Sequence, residues 1–121
     1  MKELTQAEEQ IMQVLWNIKK GFVKDVIELL PEPKPAYNTV STIIRILEKK
    51  EFVAHTAYGK THEYFPIVEK ETYTRDFMKG IVKNYFSNSF KQMVSFFAND
   101  SKISLKEIEE IKAMMEKEQT Q

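Results

Sequence analysis

Apolar residues recur at intervals of three and four over the first part of the chain. Ala7, Ile11, Leu15 and Ile18 share one helical face, widened by Met12 and Trp16. The spacing predicts a helix to about Ile18, capped by Thr5, with Glu8 three residues on completing a capping box. Gly21 interrupts the pattern, and Val23, Val26, Ile27 and Leu30 predict a shorter second helix that stops at Pro31. Pro31, Pro33 and Pro35 make the following stretch an extended connection. A third helix is expected from near Tyr37 to Lys50. It buries Val40, Ile43, Ile44 and Leu47 and turns Asn38, Thr39, Ser41, Thr42 and Arg45 mostly the other way.

After Glu51 the period changes from helical to alternating. Phe52 to Ala57 and Glu63 to Ile67 read as two short strands around Tyr58-Gly59-Lys60, a hairpin with a basic tip. Pro66 suits its end, since proline donates no ladder hydrogen bond. Helical spacing then returns in Tyr73, Phe77, Ile81, Val82 and Tyr85, and again in Phe90, Met93, Val94 and Phe97 after the turn residues Ser87-Asn88-Ser89. Asn99-Asp100-Ser101 breaks the chain once more. A last helix opens with Ser104 and Glu107 and carries Leu105, Ile108, Ile111 and Met115 on one side. The fold class expected is mainly α with a small β-hairpin: a winged helix-turn-helix over residues 1–68, followed by a three-helix region over 69–121.

Charge changes this picture little. The 18 basic and 18 acidic residues cancel, so a surplus of positive charge can only be local. Between residues 45 and 60, Arg45, Lys49, Lys50 and Lys60 face Glu48 and Glu51. The stretch from Ser104 to Gln121 carries five glutamates against three lysines. The absence of cysteine excludes disulfides, thiolate metal sites and cysteine nucleophiles. No apolar run approaches the roughly 18 residues of a membrane helix, and Met1 to Glu9 lacks the order of a signal peptide, so no membrane insertion and a cytoplasmic location are expected. His55 and His62, on opposite arms of the hairpin, lack a third ligand, so no metal and no cofactor are expected. Nor does a nucleophile triad, a phosphate-binding glycine loop or a spaced carboxylate pair stand out, which points away from an enzyme.

In a winged helix-turn-helix the third helix enters the major groove of double-stranded DNA and the hairpin lies along the backbone. Asn38 can pair with adenine, Thr39 and Thr42 can offer hydroxyls to phosphate or a methyl to thymine, and Arg45 can reach guanine or phosphate. Ser41 shares the face, and Lys60 would hold a phosphate from the hairpin tip. Each has a plainer competing role. Asn38 and Thr39 can cap a helix start, Arg45 can pair with Glu48 one turn on, and Lys60 can solubilise a turn. A different class of function also stays open, a winged module that pairs only with other proteins.

The second half holds more aromatic surface than three short helices can cover among themselves. Tyr73, Phe77, Tyr85, Phe86, Phe90, Phe96 and Phe97 could each bury roughly 150 Å² or more. A second copy of the chain would cover them, with Tyr73, Phe77, Ile81, Phe90, Val94, Phe97, Ile108, Ile111 and Met115 as the pairing residues. The alternative is that the rings pack back on the winged half of the same chain.

Three stretches carry a resemblance to the penicillinase repressor family of BlaI and MecI type. They are Leu4-Thr5-Gln6-Ala7-Glu8 with Val14-Leu15-Trp16, Ala36-Tyr37-Asn38-Thr39-Val40-Ser41-Thr42, and Arg45-Ile46-Leu47-Glu48-Lys49-Lys50. The likeness continues through Tyr58-Gly59-Lys60-Thr61-His62-Glu63-Tyr64-Phe65-Pro66 and into Ser104-Leu105-Lys106-Glu107-Ile108-Glu109-Glu110-Ile111. The resemblance implies a homodimeric repressor on inverted-repeat operators. It also implies a membrane sensor of β-lactams that triggers cleavage within the second dimerisation helix, at a bond matching Phe96-Phe97. Members cut in this way commonly carry Asn before that Phe, where this chain has Phe96. Some relatives place a basic residue where this chain has Ser41, and copper-responsive relatives carry cysteines that this chain lacks.

Overall fold

In the computed structural model, residues 1–100 and 104–119 are described, with side chains through residue 114. The described elements are α1 (Gln6–Ile18), α2 (Val23–Glu28), α3 (Tyr37–Lys49), β1 (Val53–Tyr58), β2 (Thr61–Pro66), α4 (Lys70–Tyr85), α5 (Phe90–Asn99) and α6 (Leu105–Gln119). This is the expected mainly helical winged helix-turn-helix order. The chain divides into two compact units, Met1–Arg75 and Asp76–Gln121.

Helix α1 starts at the expected capping box: Thr5 Oγ1 accepts from the Glu8 amide at 3.2 Å and Glu8 Oε1 accepts from the Thr5 amide at 2.7 Å. Its buried stripe is rotated from the expected one. Ala7 is exposed, whereas Glu8 is only 3% exposed, because Glu8 lies four residues before Met12 and seven before Leu15, in the middle of the buried side. A carboxylate tolerates that position because Lys50 Nζ reaches its Oε1 at 2.8 Å, while the same ammonium donates to the Glu3 carbonyl at 3.2 Å. Burial pushes the Glu8 carboxyl upward, but the bonds from Lys50 and Thr5 outweigh it and leave the group below its ordinary range.

The ends of α2 are also held by side chains. Asp25 Oδ2 accepts the Phe22 amide at 2.9 Å, and Lys34 Nζ donates to the carbonyls of Ile27, Glu28 and Leu30 at 3.3, 2.8 and 2.8 Å. A cation there complements the negative end of the helix.

The hairpin is tighter and longer than its pattern suggested. Tyr58 pairs with Thr61, so the loop is only Gly59-Lys60, and the ladder runs back to Val53 opposite Pro66. Gly59 takes φ +64°, a left-handed value that glycine adopts without a Cβ clash. The amide and carbonyl of Tyr64 exchange hydrogen bonds with those of Gly21 at 2.8 and 2.9 Å, so the turn between α1 and α2 acts as a one-residue third strand.

The core of the first unit comprises Ile11, Met12, Leu15 and Trp16 of α1, Val23 and Val26 of α2 with Leu30 just beyond it, Val40, Ile44 and Leu47 of α3, and Phe52, Val53 and Tyr64 of the hairpin region. Trp16 Nε1 donates to the Val68 carbonyl at 2.9 Å, which satisfies its one polar atom. Tyr73 belongs to this core, which corrects its expected place among the pairing aromatics. Its ring lies 5.6 Å from Trp16 and 5.9 Å from Phe52, and its hydroxyl donates to Glu9 Oε2 at 3.0 Å. For Tyr73, packing back on the winged half is therefore the correct reading.

The second unit has little interior. Among its described residues only Val82 is fully buried, although Phe86 and Phe96 meet at 5.7 Å and Phe96 and Phe97 at 5.5 Å. Phe77, Phe90 and Phe97 are 42 to 50% exposed, and Ile81, Val94, Ile108 and Ile111 are half-buried. The Met115 side chain lies outside the described residues. Ser89 and Ser104 cap α5 and α6 by accepting from the amides of Gln92 and Glu107, each at 3.2 Å. The left-handed Ser87 and Asn88 make the turn before α5.

The buried Glu8 yields a stability test. Its carboxyl is harder to protonate folded than unfolded, so its contribution is complete above the ordinary glutamate range and is lost as pH falls through the lower, folded value. Glu8→Gln is expected to cost about 1 to 2 kcal/mol at neutral pH. In thermal unfolding, the gap between wild type and variant should narrow and then close as pH falls below the ordinary glutamate range.

Candidate nucleic-acid interface

Helix α3 buries one side under α1, α2 and β1, with Val40, Ile44 and Leu47 fully enclosed. At 100° per residue the opposite direction is occupied by Asn38, Thr42, Arg45 and Lys49, all exposed. Thr39 lies on one flank of this face beside the exposed Ile46. The half-buried Ser41 lies on the other, with Tyr37 and Glu48, toward the hairpin. Lys60 sits exposed in the two-residue turn at the hairpin tip. Phe22 and Tyr58 meet at 6.0 Å and tie the end of β1 to the α1–α2 turn.

Two plainer roles for these residues are not taken up. The cap of α3 is the Ala36 backbone, with no side-chain cap bond, so Asn38 and Thr39 are not spent on closing the helix. Arg45 makes no ion pair with Glu48. That carboxylate instead accepts from His55 Nδ1 on β1 at 2.6 Å. The His55 ring is held in turn by His62, stacked at 4.0 Å with planes 4° apart, and by the edge of Tyr64 at 5.6 Å.

The buried Tyr64 hydroxyl adds a further tie to α3. Burial raises its pKa and the Glu48 charge adds to the effect, while the nearby Arg45 guanidinium opposes both without cancelling them. Arg45 is in no ion pair among the described residues.

Lys49 also belongs to the outward face, a placement signalled by its spacing of seven from Thr42 and four from Arg45. Lys50 belongs elsewhere, since Glu8 holds it on the far side. The local charge on the face is therefore Arg45 and Lys49, with the half-buried Glu48 on its flank bonded to His55. No group of three or more His, Cys, Asp or Glu side chains is placed to hold a metal ion among the described residues, and the two stacked imidazoles lie face to face. No described helix is long and apolar enough to cross a membrane.

The methicillin resistance regulatory protein MecI of Staphylococcus aureus strain N315 is 26% identical over 116 residues, 95% of this chain and 94% of its own length. The penicillinase repressor of Bacillus licheniformis is 23% identical over 115 residues, 94% of this chain and 90% of its own. The DNA-binding domain of the repressor BlaI superposes with a TM-score of 0.51 at 26% identity, covering 60% of this chain and 94% of that domain. The family model for the penicillinase repressor matches residues 4–117. The chain belongs to the penicillinase repressor family, whose members are DNA-binding transcriptional repressors and not enzymes.

Proposed function

We propose that this repressor acts as a homodimer on inverted-repeat operator DNA of β-lactam-resistance-type genes. In this reading α3 reads the major groove and the hairpin tip touches the backbone. The observation that carries it is the outward face of α3, a pinned helix presenting Asn38, Thr42, Arg45 and Lys49 with the arginine unpaired. Asn38 suits adenine and Arg45 suits guanine, since each offers a bidentate hydrogen-bond pattern matched to one base edge. Thr39, Ser41 and Thr42 contribute hydroxyls to the flanks, and Lys49 and Lys60 neutralise phosphates. The expected division at residues 68 and 69 then separates reading from pairing, except that Tyr73 of the later segment packs in the core of the winged half.

Pairing is supported by the surface of the second unit. Helix α5, with the sequence FKQMVSFFAN, has no buried residue, and Phe90 and Phe96 are half exposed or more. Covering such a ring stabilises by about 1.5 to 3 kcal/mol, which favours a second copy against them. In this reading Ile81, Val94, Phe97, Ile108 and Ile111 complete the pairing set. Release of the dimer by cleavage at Phe96-Phe97 fits the same helix. That bond lies within α5, so a cut there would sever the pairing helix.

Two experiments test these statements. On duplexes selected by the wild-type protein from a random pool, Arg45→Ala is expected to cost about 1 to 3 kcal/mol and to relax one base position. Lys60→Ala should weaken all sequences alike and lower the salt slope by about one. Equal affinity of both variants and wild type for every duplex would contradict the DNA reading. Sedimentation of wild type at about 10 µM should show a dimer, which Phe90→Ala or Ile108→Glu loosens with an accompanying loss of operator affinity. A monomer at that concentration would contradict the pairing.

A further inference from the structure

Arg45 and Glu48 stand three residues apart on α3, the spacing at which opposite charges on a helix normally meet. They do not meet here, because Glu48 Oε2 is taken by His55 Nδ1 at 2.6 Å from the neighbouring strand. The carboxylate only accepts, so the ring nitrogen is the donor. His55 cannot easily swing away: His62 is stacked flat against it at 4.0 Å and Tyr64 closes its edge. Both partners of the bond are about two-thirds covered, at 29% and 33% side-chain exposure, which lessens competition from water. Arg45 lies near the Tyr64 hydroxyl and is in no ion pair among the described residues.

We propose that His55 is a positioning residue for DNA binding, which sequesters Glu48 so that the Arg45 guanidinium stays available to a base or phosphate. The inference rests on the reading of α3 as the DNA-contacting helix. Without His55, Glu48 would be free to turn along its own helix to Arg45, neutralising the one arginine on that face and setting a carboxylate beside the phosphates. His62 serves by holding the ring of His55 in place.

The test is a double-variant cycle read by fluorescence anisotropy on a duplex selected by the wild-type protein, with Arg45→Ala measured in parallel. His55→Ala is expected to weaken binding roughly three- to tenfold, the scale of one freed helix-surface ion pair plus a like charge near phosphate. Glu48→Gln alone should bind as wild type or better. The double variant His55→Ala/Glu48→Gln should return to within about twofold of Glu48→Gln, since the competing charge is gone. His55→Gln, which keeps a donor for Glu48, should stay near wild type and guards against a simple folding defect. If His55→Ala weakens binding equally in both backgrounds, or not at all, while Arg45→Ala is impaired, the positioning role is overturned and the DNA reading stands. If Arg45→Ala binds like wild type, the DNA reading of α3 fails and the positioning role fails with it.

Discussion

The burial of Val40, Ile44 and Leu47 is the constraint on which the rest of the winged unit depends. Three apolar side chains at spacings of four and three fix the roll of α3 about its axis, and with the roll fixed every outward residue has one direction. Turning the helix by one residue would move each side chain by 100° and exchange Asn38 and Thr42 for their neighbours. The packing surface for the stripe comes from α1, α2 and the hairpin together. The Gly21–Tyr64 bridge, the Trp16–Val68 bond and the Lys50–Glu8 pair hold those pieces to one another.

Charge is distributed in the same way. A chain with no net charge can still present a basic face if its acids are occupied elsewhere. Glu8 is spent on Lys50 inside the unit, and Glu48 is spent on His55 at the hairpin. What remains on the outward side of α3 is Arg45 and Lys49. The sum over the sequence hides this, because it cannot say which acid is turned inward.

Much of the arrangement was legible in the sequence because it follows from periodicity and local chemistry. The three helices, the Thr5–Glu8 box, the serine-capped start of α6 and the outward placing of Asn38, Thr42 and Arg45 all rest on neighbours within one or two turns. The misses were non-local. Ala7 lay at the edge of a stripe whose centre is Glu8, and burying a glutamate is reasonable only once Lys50, 42 residues away, is known to meet it. Tyr73 had the spacing of a pairing aromatic, but its partners, Trp16, Phe52 and Glu9, are distant in sequence. The His55–His62 stack follows from strand register, and the two-residue turn that sets the register is tighter than the alternation around Tyr58-Gly59-Lys60 conveyed.

The central claim is that the outward face of α3 is the surface that meets DNA. Amide and side-chain chemical shifts of the full-length protein, compared with and without a duplex that it selects, test this most directly. The account predicts the largest changes at Asn38, Thr42, Arg45 and Lys49, a smaller set at Gly59 and Lys60, and none on the exposed side of α1 at Gln10 and Gln13. Changes centred on α1, with α3 unperturbed, would contradict it.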